Sequence, residues 1–414
     1  MHPHPTTASR TLAACLLALG LAPALSAATV TAKKADDFVF STGVNIKMYG
    51  RPAYEDATSI KNALSDLGVK NARDGLTSYA DSRTIQIGRL NTVAQSGVRF
   101  AMVYDPAATG YDTIATYYSD LARMNNVQFA EGPNEPDLTG TGWVARARDA
   151  QTKLWNGRTP AGFTGTVIGP SLARNTNYDD LGDLAGSMNW GNIHSYPGGD
   201  NRPESGFLST WLTNAAQTSG SDPIIATETG YHNATSDNSS QQGVSERAAS
   251  IYLPRLLLEH FNRGVYRTYL HQLKDEDNTT QTRHNWGLLR RDHTKKPAFI
   301  AIDNLLTVIG PGGQTGSLSY TVTTTPSDFA SLLLRNGSGE YRLLLWRKLK
   351  VYTPSTETEL YPATETVAIR FDQTVATVKR FTPTTSASSQ QSWTAPSSVS
   401  FALGAEVQVL QIKL

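Results

Sequence analysis

The sequence has very little cysteine and no strong charge of either sign. Its one cysteine, Cys15, lies in an apolar N-terminal segment expected to be removed, so the mature chain would have none. That excludes disulfides, thiolate metal sites and a cysteine nucleophile together. Long apolar runs are also missing. Residues 12–25 form an Ala/Leu-rich stretch behind Arg10, and the small residues Ser26 and Ala28 follow. This is the pattern of a secretory signal over residues 1–28, too short for a membrane span, and Cys15 sits too early for lipid attachment. The formal charge is +1, and losing Arg10 brings it to zero. No basic block stands out, so nucleic acid is not expected as a partner. An exported protein, extracellular or periplasmic, that handles neutral polar ligands fits this composition.

What is present is alternation. Short apolar runs at 38–48, 69–73, 98–104, 127–131, 165–170, 190–194, 223–228 and 265–271 are separated by segments of helical spacing, such as Ile60, Ala63, Leu64 and Leu67. A later helix is expected from Ser245 to Gly264, capped by those two residues and kinked or interrupted at Pro254. Eight strand–helix alternations are what a (β/α)8 barrel requires. An open doubly wound sheet would favour a glycine-rich phosphate loop after its first strand, and "STGVNIKMYG" is not one. Beyond Gly310 the helical spacing gives way to seven short β-like runs in Thr/Ser-rich sequence, the reading of a small β-sandwich. The last run, 407–414, switches its apolar face, which predicts a bulge. The expected division is a leader over 1–28, a catalytic barrel over 29–309 and a sandwich over 310–414, packed on the barrel without a linker.

In a barrel, the C-terminal ends of the strands face the active-site mouth. Read in order, those ends carry Asn45, then Arg73 and Asp74, Tyr104 and Asp105, Asn134 and Glu135, His194 and Tyr196, Glu228, and finally His271 with Trp286 beyond it. The set contains no Ser-His-Asp elbow and no HExxH. Two carboxylates on the fourth and seventh strands do have a mechanism. One carboxylic acid can protonate a glycosidic oxygen while a second carboxylate about 5 Å away attacks the anomeric carbon, and such pairs share one proton near neutral pH.

"EGPNEPD" at the fourth strand and "IIATETGY" at the seventh resemble the two signatures of clan A glycoside hydrolases. "NIHSYPGG" is similar to the sixth-strand segment of family 39 and family 5 members, and "NWGLLRRDHTKKPAFIAIDNLL" resembles the clan's eighth-strand exit. A trailing β-module also suits family 39 or family 30. The resemblance implies Glu135 as acid/base and Glu228 as nucleophile, with no cofactor and no metal. It implies that Asn134 contacts a sugar hydroxyl, that Tyr196 or His194 orients the nucleophile, and that Arg73 keeps it ionised. Trp286 would floor the sugar site, with Asn45 and Tyr231 as further substrate contacts. Tyr104, Trp190, Tyr196, Tyr231 and Trp286 read as an open aromatic set, which favours endo action.

The expected activity is retaining cleavage of a β-linked poly- or oligosaccharide by a monomer. A transglycosidase, a non-catalytic carbohydrate-binding barrel and a metal-dependent hydrolase are the alternatives. Glu131 reads as structural, and Asp275-Glu276-Asp277-Asn278 reads as a solvated acidic turn rather than a calcium loop.

Overall fold

The computed structural model describes residues 28–48, 52–77, 80–106, 113–237, 241–277 and 284–414. Apart from Ala28, the expected leader lies outside them. In chain order the first strands are β1 (Ala28–Thr31), β2 (Lys33–Lys34), β3 (Thr42–Asn45), β4 (Asn71–Gly75) and β5 (Arg99–Val103). β6 (Val127–Glu131), β7 (Thr166–Ile168), β8 (Gly191–His194), β9 (Ile224–Thr229) and β10 (Thr268–Leu270) follow.

β3 to β10 form one eight-stranded sheet whose neighbours are all parallel, in the order β7-β6-β5-β4-β3-β10-β9-β8. A parallel bridge between Ile168 and Trp190 joins its two ends, so the sheet closes into the expected barrel. Ala101, Phe129, Ile168, Ile225 and Tyr269, from five different strands, pack into one apolar layer inside it. Gly43 makes room for the layer: a Cβ there would stand 2.7 Å from the Tyr269 ring.

The helix Glu246–Asn262 begins on Ser245, whose hydroxyl accepts the Ala248 N–H. It runs through Pro254 without a break, so the expected interruption does not occur. Burial of nearly its whole middle against the barrel and sandwich supplies the contacts that outweigh the missing hydrogen bond.

The C-terminal part is a two-sheet sandwich. Its strands are β11 (Ser317–Thr324), β12 (Phe329–Arg335), β13 (Tyr341–Arg347), β14 (Tyr352–Thr353), β15 (Thr358–Glu359) and β16 (Glu365–Phe371), then β17 (Thr377–Phe381), β18 (Gln391–Thr394), β19 (Ser398–Leu403) and β20 (Gln408–Lys413). One sheet is ordered β1-β11-β16-β19 and the other β18-β17-β20-β13-β12-β2, with β14 and β15 a separate hairpin.

Two expectations change here. Residues 29–34, read as the start of the barrel, form strands of the sandwich together with Ala28 of the expected leader, β1 pairing with β11 and β2 with β12. The bulge expected in the last run is absent, since β20 pairs with β13 and β17 in unbroken register. Its switch of apolar face reflects burial on both sides. Val407 and Val409 pack with the barrel's core, while Leu410 and Ile412 pack in the sandwich. β13 is used the same way, with Leu344 and Trp346 on the barrel side and Leu343 and Leu345 on the other.

The junction also holds a buried ion pair. Arg255 donates from Nε to Glu204 at 2.8 Å and from Nη1 to the Leu349 carbonyl at 2.9 Å, and Trp346 Nε1 donates to Glu204 at 3.1 Å. Truncation after Ile309 therefore strips an apolar flank and unpairs β1 and β2, and should give an aggregating chain. Arg255→Met, which strands a buried carboxylate, should cost about 3–5 kcal/mol. A soluble, fully active truncate of unchanged Tm, or a wild-type urea midpoint for Arg255→Met, would refute this account.

Candidate active site

Inside the barrel a polar layer lies above the apolar one. Glu131, at the end of β6, is fully buried, and both of its oxygens accept from Arg73 of β4, at 2.7 Å from Nε and 2.8 Å from Nη2. Asn192 Nδ2 and the Thr227 hydroxyl also donate to it, each at 3.0 Å. Arg73 then reaches upward, with Nη2 2.7 Å from Asn134 Oδ1 and Nη1 2.5 Å from Glu228 Oε1. Burial alone would loosen the guanidinium's proton, but Glu131 and Glu228 outweigh it and hold Arg73 firmly cationic.

Glu228 lies near the end of β9, and each of its oxygens has a donor. Tyr196 donates its hydroxyl to Oε2 at 2.6 Å, opposite the Arg73 contact on Oε1. Burial pushes its proton affinity up, while Arg73, the Tyr196 hydroxyl and the facing imidazoles of His194 and His271 when charged push it further down, leaving it below the usual carboxylate range. His271, 3.5 Å from Oε2, is itself driven down to about 4 by burial. At neutral pH the ring is uncharged, so the positive charge it would offer is lost and Arg73 and Tyr196 remain to hold Glu228 ionised.

Glu135 reaches the same space from the segment after β6. That segment continues the parallel pairing past the strand: Asn134 bridges to Ser171, and the Glu135 N–H donates to the Ser171 carbonyl at 3.0 Å. Asp137 fastens the loop by accepting from Ala173 N, Arg174 N and Asn177 Nδ2, each at 3.0 Å. Glu135 itself has φ 45° and ψ 47°, a left-handed conformation that costs a non-glycine residue about 1–2 kcal/mol. Its Oε1 lies 2.8 Å from His194 Nδ1.

The other His194 nitrogen, Nε2, is 3.1 Å from Thr227 Oγ1, whose one hydrogen is directed at the acceptor oxygens of Glu131 and Asn192. Nε2 therefore carries the hydrogen of a neutral His194. Nδ1 is left to accept one from Glu135.

Glu135, His194 and Glu228 each offer an atom within 4.8 Å of the other two. The carboxylates flank a cleft of about 720 Å3 whose walls include Asn45, Arg73, Asp74, Asp105, Asn134 and His271. Lys47, Thr139 and Arg146 also line it.

Not every expected residue reaches the cleft. Trp286 is not among the cleft's lining residues; it packs edge-on against Tyr196 at 4.9 Å and His271 at 5.7 Å. Tyr231 is buried on Tyr252, and its hydroxyl donates to the Asn201 carbonyl at 2.9 Å, away from the carboxylates. Trp190 precedes β8 and so lies at the opposite end of the barrel. Asp275 and Glu276 do not form a solvated turn: both are buried, paired with Lys296 and Lys47. Asn278 lies outside the described residues.

Three donors within 4.8 Å could also close on a divalent cation, but Arg73 already neutralises Glu228 and Nδ1 is engaged by Glu135. Sequence reasoning missed the part Glu131 plays. The signal was available, because Phe129 and Glu131 alternate with Ala130 and so share the inward face of β6.

No family model matches the chain, and no curated protein matches its sequence. Solved structures match its shape. A family 39 glycoside hydrolase from Bacteroides cellulosilyticus WH2 superposes with TM-score 0.61 over 91% of this chain and 82% of that one, at 13% identity. A glucosidase from Croceicoccus marinus gives 0.63 over 92% and 96%, at 10% identity. A monomeric β-xylosidase from Caulobacter crescentus CB15 gives 0.61 over 91% and 96%, at 13% identity. The fold is thus that of clan A glycoside hydrolases, a (β/α)8 barrel followed by a β-sandwich, in the arrangement of the family 39 structures.

Two tests follow from the buried charges. Glu131→Gln takes the carboxylate from beneath Arg73 and should cost about 3–5 kcal/mol of stability in urea unfolding. Wild-type stability would show that Arg73 does not depend on it.

The second test is pH. His260 and His271 are pushed down to about 4 by burial, from an ordinary 6.5. Between pH 6.5 and 4 the unfolded chain binds protons there that the folded chain does not, so acidification destabilises. His232, also lowered by burial, adds in the same direction. Asp74, pushed up to about 7 by burial, opposes them, keeping when folded a proton that the unfolded carboxyl loses above 3.8. Asp275, also raised by burial, opposes too, while Glu228, held low, adds to the histidines. His260 and His271 together outweigh Asp74, so stability should fall from pH 6.5 to 4 by on the order of 1 kcal/mol per unit. His260→Gln should flatten that slope, and an unchanged slope would remove His260 from the account.

Proposed function

We propose that this protein is an exported retaining glycoside hydrolase that cleaves a β-linked poly- or oligosaccharide. One observation carries the reading: two carboxylates, Glu135 just past β6 and Glu228 near the end of β9, approach within 4.8 Å across a cleft. That close approach fits the roughly 5–5.5 Å pair of covalent double displacement better than the pair of an inverting enzyme, about 6.5–9.5 Å apart. The likeness in fold to glycoside hydrolases supports it.

In this reading Glu228 attacks the anomeric carbon as Glu135 gives its proton to the departing oxygen. Arg73 and Tyr196 keep Glu228 anionic until the carbon–oxygen bond forms. Glu135, now a carboxylate, takes a proton from water, which displaces Glu228 with net retention. His194 receives the Glu135 hydrogen bond and sets its direction, and Asn134, held by Arg73, presents its amide to the sugar. The open end of the barrel suits endo action on a chain, a monomer suffices because one chain supplies every group, and residues 1–28 act as the export signal. Transfer to a second sugar instead of water uses the same steps, and a trial of acceptor sugars separates the two. A chelator should leave turnover unchanged; its loss would favour the cation reading of Glu135, His194 and Glu228.

Glu228→Gln should abolish turnover with the fold intact, and a fluorinated glycoside should label Glu228, read by peptide mass. Glu135→Ala should fail on substrates with poor leaving groups while keeping the first step on activated aryl glycosides. Azide should then restore turnover, giving a β-glycosyl azide visible by proton NMR. Equal loss on both substrate types with no azide effect, or labelling of another carboxylate such as Asp105, would overturn the assignment.

A further inference from the structure

At the end of the barrel away from the catalytic cleft, a second cavity of about 540 Å3 opens beside the sandwich. It lies where β5 and β10 begin, and its walls are both cationic and aromatic. Arg267 is 92% buried (8% exposed): its Nη1 donates to the Phe40 carbonyl, its guanidinium lies among the Phe129, Trp190 and Tyr266 rings, and its Nε is sealed from solvent without a partner. Arg99 lies 4.5 Å from the Phe40 ring centroid, and Lys33 lies 4.6 Å from that of Phe261. Among the described residues neither arginine has an ion-pair partner, and Asp37 is the one carboxylate on the wall. Tyr266, half exposed, closes the side, with the Arg267 guanidinium carbon 5.4 Å from its ring.

Lys33, Arg99 and Arg267 set three cations against the one carboxylate, Asp37, on this wall, a surplus that favours an anion in the cavity. The volume suits a small organic molecule rather than a bare inorganic ion. The aromatic faces suit the C–H face of a sugar ring, and the guanidinium fork suits a carboxylate.

We propose that this cavity binds a uronic acid unit of an acidic glycan, its carboxylate on Arg267 and Arg99 and its ring against Tyr266. The site is separate from the cleft and does not depend on the glycosidase reading. It would tether the protein to an acidic polysaccharide while the cleft acts elsewhere.

Calorimetric titration of the full chain with methyl α-galacturonide tests this, with methyl α-galactoside, acetate and inorganic phosphate as comparisons. The galacturonide should bind, more weakly at high salt, and the neutral galactoside should not. Arg99→Gln and Tyr266→Ala, outside the catalytic machinery and away from the deepest burial, should each weaken binding about tenfold. Hydrolysis and Tm should stay unchanged in both. No uronide binding at millimolar concentration, binding unaltered in both variants, or acetate and phosphate binding as tightly as the uronide would each overturn the proposal. None of these outcomes bears on Glu135 and Glu228, whose role is read from hydrolysis alone.

Discussion

One guanidinium organises the upper barrel. Arg73 is almost wholly buried and cannot shed its charge, so the fold must supply anions wherever its nitrogens point. It supplies Glu131 from below, with a two-pronged contact, and Glu228 from above. The order matters. Glu131 is itself fastened by Asn192 and Thr227, so Arg73 stands on a fixed base before it touches the cleft. Glu228 and Asn134 thereby inherit their positions from a residue that is almost wholly buried and touches the cleft only at its edge.

That arrangement needs a rigid barrel, and the sandwich contributes to it. Its inner sheet is apolar on both faces, because one faces the barrel helices and the other the second sheet. The Glu246–Asn262 helix lies in this junction and also carries His260, whose Nε2 accepts from Ser195 at 3.0 Å. Ser195 sits between His194 and Tyr196, the two residues that hold the carboxylates. Packing at the junction and geometry at the cleft are therefore joined through one helix.

Much of this was legible from the chain. Alternation gave the barrel, and the strand-end positions of Glu135, Glu228, Arg73, Asn134, His194 and Tyr196 bring them together because strand termini converge at one mouth. The errors had physical causes. Trp190 was counted with the cleft, but a residue just before a parallel strand lies at the far end. Tyr231 follows Glu228 by three residues, yet the chain turns its ring into the core on Tyr252. The sandwich membership of residues 28–34 rests on pairings almost three hundred positions distant (Thr29 meets Ser319), which no local pattern encodes. Pro254 was expected to kink or interrupt a helix that stays unbroken, because its burial outweighs a lost hydrogen bond.

The two central carboxylates are alike in type and held very differently, and that difference is what their proposed division of labour requires. Glu228 has a donor on each oxygen and 13% of its side chain exposed, so its charge is fixed and its motion small. Glu135 is 25% exposed, sits on a left-handed backbone and has one side-chain hydrogen bond among the described residues, to His194. An acid/base must give up a proton and recover one from water, which needs solvent access and a hydrogen bond that can reverse direction. The imidazole provides it, since Nδ1 accepts while Glu135 is protonated and can donate once Glu135 is not. Thr227 fixes the far nitrogen in the first case, and through Glu131 it touches the same base on which Arg73 rests. The proton-exchanging carboxylate and the permanently charged one are thus set by a single buried cluster.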